Sequence, residues 1–548
     1  MSETTPIRPE STARFRFLFL AILAVGIFLR ISHFSEWLYF YPDQARDVTL
    51  VDDVLSGRAS WPLLGPIAAS TPFRLGPVSA YFQIASGAAF GVSPQSVAIP
   101  DLLFGILSIP LLYVFLRRIL SERTSLALMG LYAVSFPAIR YARFAWNSNS
   151  IPFFSLLLLL SLSEFLHAKS KTAWPWVMAL GITFGIGVQL HTVLLVLLPL
   201  MLLAAIAYSI RFDRKAWLKW LAIVTIALIL NTGQIISELR TGFKNTGYFF
   251  SVLDDRSPHE GAGMTENLAL DAVCHAQADA LFVSSLPATD DTCAPLTSFR
   301  YSLGGYADRT SYVFFLTSIS FGFGLFVLGN ALLAFRLKKE QDLRKKVFLG
   351  AVLLSSILTF VVMLPVVGHN GQVRYLLPII AVPFFSLGLM AEYVSEKFSK
   401  QGIVRRVPIV VLGILVLFNL STIVSEAKRH AAGVRSDAQY VVWDELEAVR
   451  DSIVTRSSPR QEAYLFGGQK YLQNYYKPLA YALSLRGFTL QRSLRHIEDV
   501  PAGAPVFFIA QSLENPKKSE YDARPEDLDL TIESYERIGN LGLYKLQH

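Results

Sequence analysis

Apolar runs long enough to cross a bilayer constrain this chain more than any other feature of its sequence. Residues 174–210 form one apolar run of about 37 residues, whereas a single helical crossing needs about 20. Across all 548 residues, 52% are hydrophobic and only 17% are charged. A soluble protein of this composition would expose extensive apolar surface to water. The sequence therefore predicts a polytopic α-helical membrane protein.

About eleven apolar segments between residues 15 and 424 are predicted to span the membrane. The run at residues 174–210 counts as two of them, because the strongly polar Gln189 and His191 interrupt it. A structural histidine is the commoner explanation for a residue in the position of His191, and a role in ligand binding is the alternative.

The distribution of positive charge predicts the orientation of these spans. Nineteen Lys and Arg residues lie in one set of short loops, against three in the loops on the other side. Because Lys and Arg collect on the cytoplasmic side, we expect a cytoplasmic (inner) membrane protein with its amino terminus inside and its carboxyl-terminal region outside. The net charge of +8 is then a topology signal, and no basic stripe interleaved with aromatic residues indicates nucleic-acid binding.

The composition changes near residue 425, where charges return and apolar runs shorten to strand length. Residues 1–425 are predicted to form the transmembrane domain, and residues 426–548 a small extracytoplasmic α/β domain without a catalytic motif of its own. Residues 237–310 are predicted to be a polar outer loop. Its two cysteines, Cys274 and Cys293, either form a disulfide or remain free thiols, and their spacing does not indicate a metal site.

The first outer segment, about residues 34–96, brings carboxylates and guanidiniums to the membrane surface, where they are costly and usually functional. Pro42 and Asp43 begin a predicted interfacial helix that stops at Gly57, and residues 78–90 form a second amphipathic piece. Asp43 is interpreted as a helix cap, a general base or both. Asp47, one turn further, either shares the catalytic role or binds a metal with Asp43, or it is simply solvated or paired with a neighbouring arginine.

Arginines on the outer side are candidate phosphate ligands, since short outer loops otherwise avoid positive charge. Arg74 lies in a turn stiffened by Pro and Gly, where it either clamps a phosphate or reaches toward lipid headgroups. Arg143 lies in a short outer hairpin and is a second exception to the charge rule. Arg374, flanked by His369 and Tyr375, is a third.

Five short motifs, taken in order and in their positions relative to the spans, resemble the GT-C superfamily of glycosyltransferases. Within it they resemble the protein O-mannosyltransferase-like group, which includes the transferases that add aminoarabinose to lipid A. The motifs are Pro42-Asp43-Gln44, Gly76-Pro77-Val78-Ser79-Ala80-Tyr81, Arg140 to Arg143 with Trp146-Asn147, Gln189-Leu190-His191, and Arg374-Tyr375-Leu376-Leu377-Pro378. The resemblance covers roughly residues 15–425.

This resemblance implies a membrane enzyme of the cell envelope with an undecaprenyl-type phosphate sugar as donor and inversion at the sugar carbon. It implies that Asp43 matches the first acid of the family's Asp-Glu pair and that Gln44 replaces the second. Arg74 then lies near a phosphate-contacting Lys or Arg, and Tyr81 ends the Pro-Val-x-x-Tyr element. Many members need no catalytic metal, so a divalent ion is not favoured.

The expected function is transfer of a hexose or pentose from a polyprenyl-phosphate carrier to a hydroxyl of a glycan, lipid or protein at the outer membrane surface. The alternative is a transporter or lipid flippase, which the break at His191 favours. Transporters, however, place charges at mid-membrane in repeated broken helices, whereas here the charges collect at one surface. A non-catalytic scaffold is disfavoured by the same set of outer cations beside an acidic loop.

Overall fold

The computed structural model describes residues 9–68, 71–167, 173–212, 216–254, 264–286, 293, 309–365, 371–398, 402–433, 441–492, 500–512, 525 and 530–547. Over these ranges the chain is a bundle of helices followed by a small mixed sheet. The helices, in chain order, are α1 (Pro9–Ile31), α2 (Pro42–Leu55), α3 (Val78–Phe90), α4 (Pro94–Leu116), α5 (Glu122–Val134), α6 (Phe136–Tyr141), α7 (Ile151–His167), α8 (Trp174–Leu190), α9 (Thr192–Phe212), α10 (Trp217–Leu230), α11 (Thr232–Thr241), α12 (Lys244–Asp254), α13 (Met264–Ser284), α14 (Arg309–Lys339), α15 (Leu343–Met363), α16 (Ala381–Lys397), α17 (Val407–Ala431), α18 (Trp443–Ser457) and α19 (Gln469–Ser484), with 3-10 turns at Val373–Ile379 and Val404–Arg406.

Five of the described helices are long and apolar enough to cross a membrane, namely α4, α9, the part of α14 from Leu316 to Lys339, α15 and α17. The pair α10 and α11 bends by 68°, and the 3-10 turn at Val373–Ile379 meets α16 at 60°, so that counting each pair as one span gives seven. Helices α7 and α8 are apolar but shorter. The chain is thus a multi-pass membrane protein, and the count of eleven spans and their orientation stay predictions.

The two helices expected between residues 34 and 96 are present as α2 and α3, and their location at the membrane interface stays a prediction. Helix α2 stops before Gly57, whose positive φ of 76° suits a residue without a Cβ. The interpretation of Asp43 as the helix cap is wrong, because Tyr41 occupies the N-cap position and Pro42 is the first helical residue. The Gln44 side chain instead accepts a hydrogen bond from the Tyr41 N–H at 2.9 Å, which gives this N–H at the start of the helix a partner.

The predicted polar loop at residues 237–310 contains two helices in the described part of the chain, α12 and α13. Helix α13 is largely buried, and Gly322 of α14 approaches it so closely that a Cβ there would collide with the Ala276 carbonyl. Its buried side chains include Asp271 and His275. These polar residues lower the hydropathy of the segment, so its sequence does not read as an apolar run. A disulfide joins Cys274 of this helix to Cys293.

The carboxyl-terminal region forms the expected α/β domain. Its sheet has the strand order β2-β1-β3-β5-β4, with β2, β1 and β3 parallel and β3, β5 and β4 antiparallel. The strands are β1 (Glu462–Gly467), β2 (Thr489–Arg492), β3 (Val506–Gln511), β4 (Ile532–Ile538) and β5 (Leu541–Leu546).

This domain supports the helix that carries the candidate acids. The Phe40 N–H donates to the Val441 carbonyl and the Trp443 N–H donates to the Leu38 carbonyl, both at 2.9 Å. The Phe40 ring is fully buried and lies 4.9 Å from the ring of Trp443. Val48 and other apolar residues on one face of α2 pack into the same core. The backbone leading into α2 is therefore held between the helical bundle and the carboxyl-terminal α/β domain.

Candidate active site

One guanidinium joins the two acids predicted to be catalytic. Arg46 lies one helical turn after Asp43 and donates Nη1 to its Oδ1 at 2.9 Å. Its Nε and Nη2 both donate to Oδ1 of Asp47, at 2.8 and 2.6 Å. Because residues three apart lie on the same face of a helix, the sequence Asp-Gln-Ala-Arg-Asp brings these charges together. The structure therefore gathers both predicted acids around Arg46.

The two acids differ in their access to solvent. About half of the Asp43 side chain is exposed, at 52%, whereas only 13% of the Asp47 side chain is exposed. Burial raises the pKa of the Asp47 carboxyl, and the Arg46 guanidinium opposes that rise. The second oxygen of Asp47 faces the Gln83 amide at 3.4 Å. Asp47 is thus a buried acid paired with Arg46, which is one of the alternatives that the sequence left open. Asp43 is the acid that a substrate can reach.

Gln44, which stands where the family's second acid is expected, has a structural role. Its side chain is 2% exposed and uses both ends of the carboxamide. Its Oε1 accepts the Tyr41 N–H at 2.9 Å, and its Nε2 donates to the Ala145 carbonyl at 2.6 Å. A carboxylate could accept the first bond but could not donate the second. The amide therefore ties α2 to the hairpin between α6 and α7.

Arg74 lies on a small hairpin that its backbone hydrogen bonds define. The Gly65 N–H donates to the Leu75 carbonyl at 2.8 Å, and the Leu75 N–H donates to the Pro66 carbonyl at 2.9 Å. The two backbones are so close that a Cβ at Gly65 would collide with the carbonyl of Gly76. The Nε of Arg74 donates to the Gly65 carbonyl at 2.9 Å. Over the described residues its two Nη groups have no hydrogen-bond partner, so the end of the guanidinium is open.

The charge of Arg46 acts on Arg74, although Arg46 is itself paired with both acids. Burial lowers the pKa of Arg74, and the charge of Arg46 lowers it further. Both groups remain cations, and an anion bound at Arg74 reduces their mutual repulsion. The amino-terminal end of α2 adds a partial positive charge nearby. In the described part of the chain, the open end of the Arg74 guanidinium is therefore the group here that can bind a phosphate.

A second cation lies at the start of the 3-10 turn Val373–Ile379. The Arg374 guanidinium stacks over the ring of Trp146 at 4.4 Å and lies 5.5 Å from the ring of Tyr375. The His191 ring is 5.0 Å from that of Tyr375, and its Nδ1 accepts the Val193 N–H at 3.2 Å. Burial and then the charge of Arg374 lower the pKa of His191 to about 3, so this histidine is neutral.

Asp101 holds the backbone of Trp146, the residue on which Arg374 stacks, although the sequence analysis did not single it out. Its carboxylate is buried and accepts the Trp146 N–H at 2.9 Å. Asp101 fixes the backbone under the ring that carries Arg374. An acid inside an apolar span is rare, and that signal could have found it.

Arg143 has a different position from the predicted one. Its guanidinium is buried, donates to the carbonyls of Leu29 and His33 at 3.1 and 2.7 Å, and lies over the ring of Trp37 at 5.6 Å. Helices leave their last carbonyls without partners, so these bonds cap the end of α1. With two donors engaged in this way, a phosphate contact for Arg143 stays a prediction.

Tyr81 of α3 holds the loop between α2 and α3. Its hydroxyl donates to the Pro62 carbonyl at 2.8 Å, and its ring meets that of Trp61 edge-on.

His369 lies outside the described residues. No group of three or more His, Cys, Asp or Glu side chains in the described ranges is arranged to hold a metal ion.

Comparisons with known proteins give a fold and a family match. The family of dolichyl-phosphate-mannose-protein mannosyltransferases matches residues 71–235. The structure resembles that of ArnT from Cupriavidus metallidurans bound to undecaprenyl phosphate, with a TM-score of 0.52, 12% sequence identity and 98% of each chain covered. It also matches AglB from Archaeoglobus fulgidus, solved with an inhibitory peptide and a dolichol-phosphate, with a TM-score of 0.48, 13% identity, and 86% of this chain and 64% of that chain covered. No curated protein sequence matches the chain.

Proposed function

We propose that the chain is a glycosyltransferase of the GT-C type that moves a sugar from a polyprenyl-phosphate carrier to an acceptor hydroxyl at the outer face of the cytoplasmic membrane. The ArnT structure with this fold holds undecaprenyl phosphate, which supports a carrier of that class here. The acceptor is a glycan, a lipid or a protein. None of the comparisons supports a transporter or flippase.

Asp43 is the general base in this proposal. Its exposed carboxylate takes the proton of the acceptor hydroxyl while the hydroxyl oxygen attacks the anomeric carbon of the donor. The bond between that carbon and the phosphate oxygen breaks, and the carrier leaves with both electrons of the bond. Attack opposite the leaving phosphate inverts the anomeric centre. Arg46 keeps the Asp43 carboxylate oriented through the bond at 2.9 Å.

Arg74 and Arg374 stabilise the leaving phosphate. The carrier phosphate has one negative charge as a diester and gains a second when the sugar leaves. Guanidiniums pair well with phosphate oxygens, because their planar donors match two oxygens at once. In the described part of the chain, neither residue donates to a carboxylate, and the Nη groups of Arg74 are open. Fixed cations at the atom that gains charge lower the barrier more than they lower the energy of the bound donor.

The exposed Asp43, oriented by Arg46, and the open end of the Arg74 guanidinium are the observations that most support this function, and the test is a single substitution. We expect Asp43→Asn to lower the transfer rate about 10²–10⁴-fold, which is the usual contribution of a positioned base. The measurement is turnover by purified protein with a panel of undecaprenyl-phosphate sugars and envelope acceptors.

Asp53→Asn is the matched control, because Asp53 is an exposed acid of the same helix that pairs with Arg58 at 2.8 Å. This control is expected to keep its activity. Wild-type turnover by Asp43→Asn on the true substrates would rule out Asp43 as the base.

A further inference from the structure

Asn245 of α12 binds the main chain of Arg74 with both ends of its carboxamide. The Arg74 N–H donates to Asn245 Oδ1 at 2.8 Å, and Asn245 Nδ2 donates to the Arg74 carbonyl at 3.0 Å. This is the pair of bonds that one residue exchanges with its partner on a neighbouring antiparallel strand. Here a side chain takes the place of that strand, 171 residues further along the chain.

The surroundings of Asn245 make this contact a firm one. The side chain is 6% exposed, so water does not compete for its bonds. Helix α12 also packs on the hairpin through Phe249, whose ring lies 5.2 Å from that of Phe73. Leu75, which follows Arg74, belongs to the same small apolar cluster. The backbone on both sides of Arg74 is therefore fastened to α12.

A fixed backbone matters at Arg74 because its guanidinium is anchored at one atom only. The Nε bond to the Gly65 carbonyl sets the direction of the group, and the Asn245 bonds set the point from which it extends. A shift of about 1 Å in a binding group can cost as much as 10²-fold in rate. A side chain that holds this backbone therefore controls how well the cation meets a phosphate.

We infer that Asn245 is a positioning residue for the donor phosphate, acting through Arg74. The inference rests on the proposed function and extends it to α12. Asn245 itself does not touch the donor. It links α12 to the affinity of the site for a polyprenyl phosphate and leaves the acceptor side unaffected.

The test is a double-mutant cycle with Asn245→Leu, Arg74→Ala and the combined variant. Leucine is close to asparagine in size but makes neither hydrogen bond. Alanine at Arg74 keeps the backbone groups that Asn245 binds and removes the guanidinium. Binding of undecaprenyl phosphate to the full-length protein in detergent is measured for each variant, together with the donor and acceptor KM where turnover is detected.

We expect Asn245→Leu to weaken undecaprenyl phosphate binding about tenfold, because the Arg74 guanidinium is no longer held where it meets the phosphate. The donor KM should rise by a similar factor, with the acceptor KM unchanged. In the Arg74→Ala background the same substitution should change binding less than about twofold, because no guanidinium remains to be misplaced. Asn245→Ala should act in the same direction, and it serves as a second variant if the leucine form folds poorly.

Ser251→Ala is the matched control, because the Ser251 hydroxyl bonds only to the Tyr248 carbonyl of its own helix. Its binding should equal that of the wild type. If Asn245→Leu weakens binding equally with and without Arg74, or not at all while Arg74→Ala weakens it, the inference is overturned and the proposed function stands. If Arg74→Ala binds undecaprenyl phosphate as tightly as the wild type, the phosphate role of Arg74 fails, and the inference fails with it.

Discussion

Replacing Gln44 by glutamate restores the residue expected from the family pattern, and the structure predicts that it harms this protein. The Nε2 group donates to the Ala145 carbonyl at 2.6 Å inside a site that is 2% exposed. Gln44→Glu removes that donor and leaves the carbonyl facing a carboxylate oxygen. A buried polar group left without its partner costs about 1–3 kcal/mol, and the lost bond and the buried charge add to this. We expect a loss of about 3 kcal/mol at neutral pH.

The pH dependence of this loss has a definite sign. Burial beside a carbonyl raises the pKa of the introduced carboxyl above its value of about 4.3 in the unfolded chain. The protonated form can donate to the Ala145 carbonyl, so protonation restores the bond. The variant is therefore closest to wild-type stability near and below about pH 4.3. Its deficit grows as the pH rises through the raised pKa of the folded state, and it is complete above that value.

The assay is the midpoint of thermal unfolding in detergent, measured for variant and wild type between pH 5 and pH 8. Gln95→Glu is the control, because the Gln95 amide donates to the Ser35 hydroxyl at the surface at 2.9 Å. A surface change of this kind is usually worth less than about 0.5 kcal/mol. Equal midpoints for Gln44→Glu and wild type at pH 8, or a deficit that shrinks as the pH rises, would refute the reasoning.

Two further substitutions test other parts of the account. Arg374→Lys keeps the charge but loses the planar group that stacks on Trp146 at 4.4 Å, so we expect undecaprenyl phosphate binding to weaken about tenfold with little change in thermal unfolding. Unchanged binding would remove Arg374 from the phosphate site. Phe40→Ala deletes a fully buried ring between the bundle and the outer domain, and should cost about 3–5 kcal/mol of stability in denaturant unfolding. A cost below about 1 kcal/mol would show that the outer domain does not support α2 through this contact.

Elements whose form depends on local residue patterns could be predicted from the sequence. Pro42 and Gly57 bracket α2, because one fits the first turn of a helix and the other fits the residue after its end. The alternation of short apolar runs with helical periodicity beyond residue 425 predicted the α/β domain. The acid and the arginines of the candidate site were predicted because charged side chains held next to lipid are costly, and their roles stay predictions.

Contacts between distant segments could not be predicted in this way. The Gln44 amide donates to the Ala145 carbonyl, which lies 101 residues further along the chain. Arg143 looked like a phosphate ligand because its partners are backbone carbonyls, which carry no residue signature. Asn245 lies in a segment whose polarity indicated only a loop, and its partner is 171 residues away. Helix α13 was missed because its buried face is polar.

The most direct measurement is a structure of this protein with undecaprenyl phosphate bound. The account predicts a phosphate group within about 3 Å of the guanidinium nitrogens of both Arg74 and Arg374, with the Asp43 carboxylate facing the side where the sugar attaches. A phosphate held by other residues, with Asp43 turned away from it, would contradict the central claim.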